Sequence, residues 1–302
     1  MKILKKNRQT VGDKLLHIVF HIIMILLSLS CLYPFLVIIG TSFASQDSII
    51  KYGYSVIPKI VSLEAYKSIF QNPQKLLNAY GITIITTVTQ TLGGLILTST
   101  MGYVLSRQDY RYKRFVGLFV FFTMLFNGGL VPTYILISKW LHMQNSILAL
   151  IIPGMCTAWN IMLMKGFFQG IPTALIESAK IDGASELGIF AKIIVPLSKP
   201  AFATLGLLMM LTCWNAWYSS LLYITSSNKV MLQYLLMVIM KNIEFLKSEA
   251  GQQMANVSVE VEVPTQALRM AMCILATGPM LFAFPFFQKY FSKGLTVGSV
   301  KG

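Results

Sequence analysis

Long apolar runs separated by short charged patches organise this chain. Six stretches are apolar for about the 18 to 20 residues that a helix needs to cross a bilayer core. They lie near residues 15–40, 80–105, 115–137, 146–164, 201–225 and 269–287. The pattern predicts an all-α polytopic membrane protein with six transmembrane helices. Helix breakers punctuate the runs: Pro34 in the first, "FNGGLVP" (126–132) in the third, Pro153 in the fourth, Pro279 and Pro285 in the sixth. The segment 177–200, "ESAKIDGASELGIFAKIIVPLSKP", is polar and broken, and it separates the fourth run from the fifth.

Composition agrees. Of 302 residues, 55% are hydrophobic and 12% charged, against roughly 25% charged in soluble domains. The formal charge of +14 would suggest nucleic acid in a soluble protein. Here the basic residues sit in loops, where they orient the chain and meet anionic membrane lipid, so no nucleic-acid partner is expected. Sixteen basic residues fall on the side that holds both ends of the chain and segment 177–200, and eight on the other. The positive-inside rule therefore predicts cytoplasmic termini and a cytoplasmic 177–200 segment. The basic N-terminus precedes an apolar run too long for a signal peptide, with no small-x-small cleavage site, and is expected to lead into an uncleaved first span. Loops 44–79 and 226–268 fall outside. Within the latter, "VSVEVEVP" (257–264) alternates apolar and acidic residues, a weak strand signal beside the plainer reading of a solvated loop.

Some chemistry is missing from the pattern. No Asp, Glu, Lys or Arg lies in the middle of a span, which argues against an ion-coupled carrier or a voltage sensor. No GxxxxGK[ST] loop occurs. Cys31, Cys156, Cys213 and Cys273 lie in apolar runs without a CxxC pair, and are expected as small buried apolar residues. His17 and His21 are spaced i, i+4 but lack a third ligand. They are expected to be interfacial or helix-packing residues, with no metal. Gly94, Thr98 and Gly102 have small-xxx-small spacing for helix packing. The protein is expected to move something with energy borrowed from a partner.

Segment 177–200 is the place for that partner. "GIPT" (170–173) breaks the chain, Thr173 is positioned to cap a helix over 174–182, and Gly183 interrupts it. Ser185 then caps a second helix to about Val195, ended by Pro196 and Pro200. Ile176, Ala179 and Gly183 form a small, apolar face bordered by Glu177, Lys180 and Asp182. Such a face admits a close protein partner, with the charges fixing register. The alternative is an amphipathic helix lying on lipid, but those favour bulky apolar residues and basic rims.

These residues resemble the EAA motif of ABC-importer permeases: Glu177, Ala179, Asp182, Gly183, Ala184, Phe190, Ile193 and Pro196 match, and Ser178 replaces an alanine. "GGLVPTYILI", the Trp-Asn pairs and the tail "FFQKYFSKGLTVGSVKG" extend the resemblance to carbohydrate (MalG-like, LplC-type) permeases over most of the chain. The resemblance implies a type I importer, MetI-like transmembrane domain in a bacterial cell membrane. It divides the chain into a basic N-terminus (1–14), a first helix with its extracellular loop (15–74), a five-helix core (75–290) and a cytoplasmic tail (291–302). Segment 177–200 becomes the coupling helix, with Glu177 pairing to a basic residue of the ATPase and Gly183 allowing a bend; 296–302 reaches the same interface. The implied partners are a second homologous permease, two ATPase subunits and an extracellular solute-binding protein, which docks at loop 226–268. The chain itself has no catalytic site and no cofactor; ATP and Mg belong to the ATPase.

Sugars bind aromatic faces and hydrogen-bonding groups in a largely apolar cavity. Trp214, Asn215, Trp217 and Tyr218 in the fifth span and Trp159 and Asn160 in the fourth offer these. Asn127, beside Gly128 and Gly129, loosens the third and exposes backbone. An interfacial aromatic belt competes for the tryptophans and suits Trp140. The resemblance also implies that, as in the maltose-type system, most sugar contacts come from the other permease subunit. The competing functions are a self-contained carrier or channel, an intramembrane enzyme, or an ABC permease for another solute such as an amino acid.

Overall fold

The computed structural model describes residues 11–71, 73–247 and 265–298. The alternating stretch 257–264, residues 1–10 of the basic N-terminus and residues 299–302 of the tail lie outside the described residues. In chain order the helices are α1 (Val11–Ser42), α2 (Gln46–Tyr52), α3 (Glu64–Ile69), α4 (Pro73–Ser106), α5 (Lys113–Leu125), α6 (Leu130–Trp140), α7 (Leu148–Met155), α8 (Ala158–Gln169), α9 (Thr173–Ile181), α10 (Glu186–Leu197), α11 (Lys199–Trp214), α12 (Tyr218–Tyr223), α13 (Leu232–Lys247) and α14 (Thr265–Gly298).

Three of these contain an unbroken apolar stretch long enough to cross a membrane: α1, α4 and α14. They are the first, second and sixth expected spans. The third and fourth are broken. α5 and α6 meet at 110°, α7 and α8 at 43°. At the first break Phe126 is extended, Gly129 takes φ +89°, and its N–H bonds Asn127 Oδ1 at 2.9 Å. At the second, Cys156 is extended and Thr157 caps α8 by accepting from Asn160 N at 3.3 Å. The fifth span departs from expectation. It is not one helix to residue 225: α11 ends at Trp214 and α12 starts afresh at Tyr218. Asn215 is the C-cap of that helix, and its side-chain amide joins its backbone N–H on the Leu211 carbonyl, at 2.9 and 3.1 Å.

Among the described residues, 11–71 and 265–275 form one compact unit. Here α1 is exposed from Leu15 to Leu36, as an all-apolar helix is when lipid or another chain is its solvent. His21 Nδ1 lies 2.6 Å from the His17 carbonyl. Beyond α1 the chain folds back: Ala44 bridges Val61, and Tyr66 stacks on Phe43 at 5.1 Å. A Cβ on Gly40 would lie 2.0 Å from the Val56 carbonyl oxygen, so only glycine lets these backbones meet. Gln266, at the start of α14, binds Gln46 and Tyr54.

Described residues 73–247 and 276–298 form the second unit, built around α4, which packs against α7, α8 and α11. Gly94 and Gly102 face the close approaches: a Cβ would lie 2.7 Å from the Met155 carbonyl oxygen and 3.1 Å from Lys165 N. Thr98 between them is buried, so this small-residue face serves helix packing. Of the four cysteines, Cys213 is buried, but Cys31, Cys156 and Cys273 are exposed on this chain; apolar surroundings in sequence did not mean cover by the chain itself.

Candidate functional site

Segment 173–197 is two helices around a corner. α9 begins after Pro172, whose side chain makes no cap bond. Thr173 is therefore the first helical residue, not the expected cap; Pro172, with φ −58°, sets the entry instead. At the other end Ala184 N bonds Ala179 O at 2.9 Å and Gly183 N bonds Lys180 O at 3.0 Å. This paired 6→1 and 5→2 closure is a Schellman motif, which places its C′ residue in the left-handed region. Gly183 occupies that position with φ +76°. Ser185 then caps α10, accepting from Gly188 N at 3.2 Å. α10 widens into a π turn over Phe190–Ile194 and closes at Leu197. Pro196 lies in the last turn of α10 and Pro200 in the first turn of α11, one on each side of the bend. The chain bends by 80° between α10 and α11.

The inward face corrects a second expectation. Ile176 and Ala179 are not open to a partner. They are buried with Ile189 and Ile194 against Tyr103, Met164, Phe168 and Leu205. Phe190 lies partly buried between the Tyr103 and Phe168 rings, at 5.2 and 6.5 Å. Small residues here let α9 approach its own chain. The outward edge carries Glu177, Asp182, Gly183 and Ala184, all exposed. It also carries two residues that the sequence left unmarked as exposed, Ile181 at 87% and Leu187 at 80%. Their placement one on each side of the glycine corner was the available signal.

A polar cluster ties this corner to the α4–α5 loop. Arg107 grips Asp109 through Nε at 3.0 Å and Nη2 at 2.7 Å, and reaches Glu186 at 3.4 Å. Lys180 Nζ touches both Asp109 and Glu186 at 2.7 Å. Tyr103 Oη donates to Glu186 at 3.0 Å. Hydrogen bonds from Lys180 and then Arg107 pull the Asp109 carboxyl down to about 2. Lys180 first, and then Tyr103, lowers Glu186. Two cations face two carboxylates, so all four stay charged at neutral pH.

The other residues singled out in the sequence gather at helix breaks. Asn127 lies in the α5–α6 break, Trp159 and Asn160 start α8 just past its break, and Asn215, Trp217 and Tyr218 span the α11–α12 break. Irregular backbone at membrane depth persists only inside protein or along a water-filled cavity. Trp217 and Tyr218 touch edge to face at 5.4 Å and are 40% and 43% exposed. Asn215 Oδ1 accepts from Gln233 at 3.3 Å. Trp159 is 59% exposed. Trp214 differs: it is 3% exposed and its indole N–H donates to the Ala276 carbonyl at 2.8 Å. Its ring is core, and the expected cavity role does not suit it.

Broken spans around a central helix, with a braced corner exposed between two of them, make up the MetI-like transmembrane fold of an ABC transporter. A crystal structure of a bacterial ABC transporter involved in the import of the acidic polysaccharide alginate superposes with a TM-score of 0.76 at 27% identity, covering 93% of this chain and 98% of that one. The chain belongs to the family described as binding-protein-dependent transport system inner membrane component, which matches residues 6–297. Among its relatives is the polygalacturonan/rhamnogalacturonan transport system permease protein YtcP of Bacillus subtilis (strain 168), 37% identical over 96% of this chain and 99% of that protein. Protein LplC of the same organism is 39% identical over 89% of each. The trehalose/maltose permease MalG of Thermococcus litoralis is 28% identical over 92% of this chain and 94% of that protein.

Proposed function

We propose that this chain is the transmembrane permease subunit of an ATP-driven importer for an oligosaccharide. It has no catalytic site or cofactor of its own and converts the closure of partner ATPases into alternating access. The observation that carries the reading is the exposed edge Glu177, Ile181, Asp182, Ala184 and Leu187 around the Gly183 corner, in a chain whose relatives include a polygalacturonan/rhamnogalacturonan permease and a trehalose/maltose permease. Glu177 pairs with a basic residue of the ATPase, and Ile181 and Leu187 supply the apolar contact. Ala179, Phe190 and Pro196 shape the segment from behind. ATP and Mg act on the two ATPase subunits; a second homologous permease completes the pathway, and a solute-binding protein delivers the sugar from outside. Both termini and the corner lie in the cytoplasm, as the loop charges favour. Asn127, Trp159, Asn160, Asn215, Trp217 and Tyr218 line the sugar pathway.

The test is uptake of labelled oligosaccharides by the reconstituted complex. Glu177→Lys should abolish uptake and binding-protein-stimulated ATP hydrolysis while the chain still inserts. Full transport by that variant, or ion-driven transport by the purified chain alone, would overturn the reading.

A further inference from the structure

We propose that Tyr103, Arg107, Asp109, Lys180 and Glu186 form a clamp that makes the Gly183 corner and the end of α4 move as one body. This rests on the coupling role proposed above and names the residues that carry the motion inward.

The corner alone is a poor lever. Its backbone turns on Gly183, where an added Cβ would meet nothing within 4 Å; the apolar residues Ile176, Ala179, Ile189 and Ile194 hold the two helices from beneath, and the ions hold them from the other face. Lys180 lies in the last turn of α9 and Glu186 opens α10, and their 2.7 Å contact bridges the corner. Asp109 holds the same lysine at 2.7 Å. The Arg107 fork fixes the plane of that carboxylate, as two parallel N–H bonds do. Arg107 is itself the most enclosed member of the ion network, its side chain 12% exposed, with its guanidinium 5.8 Å from the Tyr103 ring centre. Tyr103 belongs to α4 and meets α10 twice, through Glu186 and through the Phe190 ring. The ties therefore run from both sides of the corner to one helix end.

What α4 receives it can pass on. It packs along α8, α11 and α7. Near its other end Thr83 Oγ1 accepts from Leu232 N at 2.8 Å, at the start of α13. Exposed ion pairs stabilise a fold little. Loss of the clamp should therefore appear in transmitted motion more than in folding.

Two measurements on Lys180→Met test this. In the complex reconstituted with its ATPase, second permease and binding protein, sugar uptake should fall about five-fold or more, the low end of coupling between sites. ATP hydrolysis should stay within about two-fold, and Lys180→Arg should restore uptake. In the purified full chain, spin labels at Gln108→Cys and Leu187→Cys should give a narrow distance distribution that broadens on Lys180→Met. An unbroadened distribution, or uptake and hydrolysis falling in proportion, overturns the clamp. Failure of the coupling role itself shows separately, as no cross-link between Glu177→Cys and the ATPase.

Discussion

Lys180 Nζ lies 2.7 Å from Glu186 Oε1, across a corner whose turning residue is Gly183. The two side chains belong to different helices; Lys180 also holds Asp109, and Glu186 also meets Arg107, both in the α4–α5 loop. The segment's shape is thus fixed twice, by a Schellman closure in the backbone and by ions that bridge the corner. A surface that must transmit a push needs this redundancy, because a glycine hinge alone would yield.

Acid should loosen the brace. Asp109 titrates at about 2 in the fold, below its usual 3.8, and Glu186 is also lowered, in both cases chiefly by Lys180. A depressed carboxyl adds stability that is complete above its unfolded value and disappears as pH falls through the folded one. The distance distribution between labels at Gln108 and Leu187 should stay constant from pH 8 to about 5 and broaden between about 4 and 2. Asp109→Asn should be broader at neutral pH and show a smaller change in that window, the remainder coming from Glu186.

Gly183→Ala isolates backbone strain. The added methyl has free space, but φ +76° is unfavourable for an L-residue. The expected cost is about 1–2 kcal/mol, read as a lowered thermal unfolding midpoint in detergent. Gly183→Asn should recover part of it, since Asn tolerates the left-handed region. Equal loss from both variants would mean the corner is limited by space.

Much of this arrangement is visible in the sequence, and the remainder fails for identifiable reasons. Gly183, Ser185 and the Asn127–Gly129 break are local, and local chemistry announces them. The orientation of α9 is not: Ile176 and Ala179 make the same small apolar pattern whether they face a partner or Phe168. Nor is the clamp, because Lys180 and Asp109 are 71 positions apart. The fifth span looked continuous because its break, between Trp214 and Tyr218, holds no glycine or proline. The six-span count required treating bent pairs as spans, which the apolar content of "FNGGLVP" and the lone Pro153 already suggested.

The outer edge should tolerate charge for folding but not for assembly. Ile181 and Leu187 contact little of their own chain, so Ile181→Asp or Leu187→Asp should shift stability by less than about 0.5 kcal/mol. Each should still prevent co-purification with the ATPase, since a buried apolar anchor is lost and an unpaired charge put in its place. Normal recovery of the ATPase with both variants would move the docking surface elsewhere.

Trp214 and Trp217, three residues apart, should separate stability from transport. Trp214→Phe keeps an aromatic ring, though a smaller one, and leaves the Ala276 carbonyl without its indole donor. Burial makes that loss costly, on the order of 1–3 kcal/mol, and thermal unfolding should show it. Trp217 is 40% exposed and leans edge-on against Tyr218. Trp217→Ala removes a stacking face worth about 0.5–1.5 kcal/mol to a bound ring, or a several-fold loss of uptake, with little change in the unfolding midpoint. Trp217→Phe should retain most uptake, because the face remains. If Trp217→Ala lowers stability as much as Trp214→Phe, then Trp217 also belongs to the core, and the break at Asn215 serves packing instead of passage.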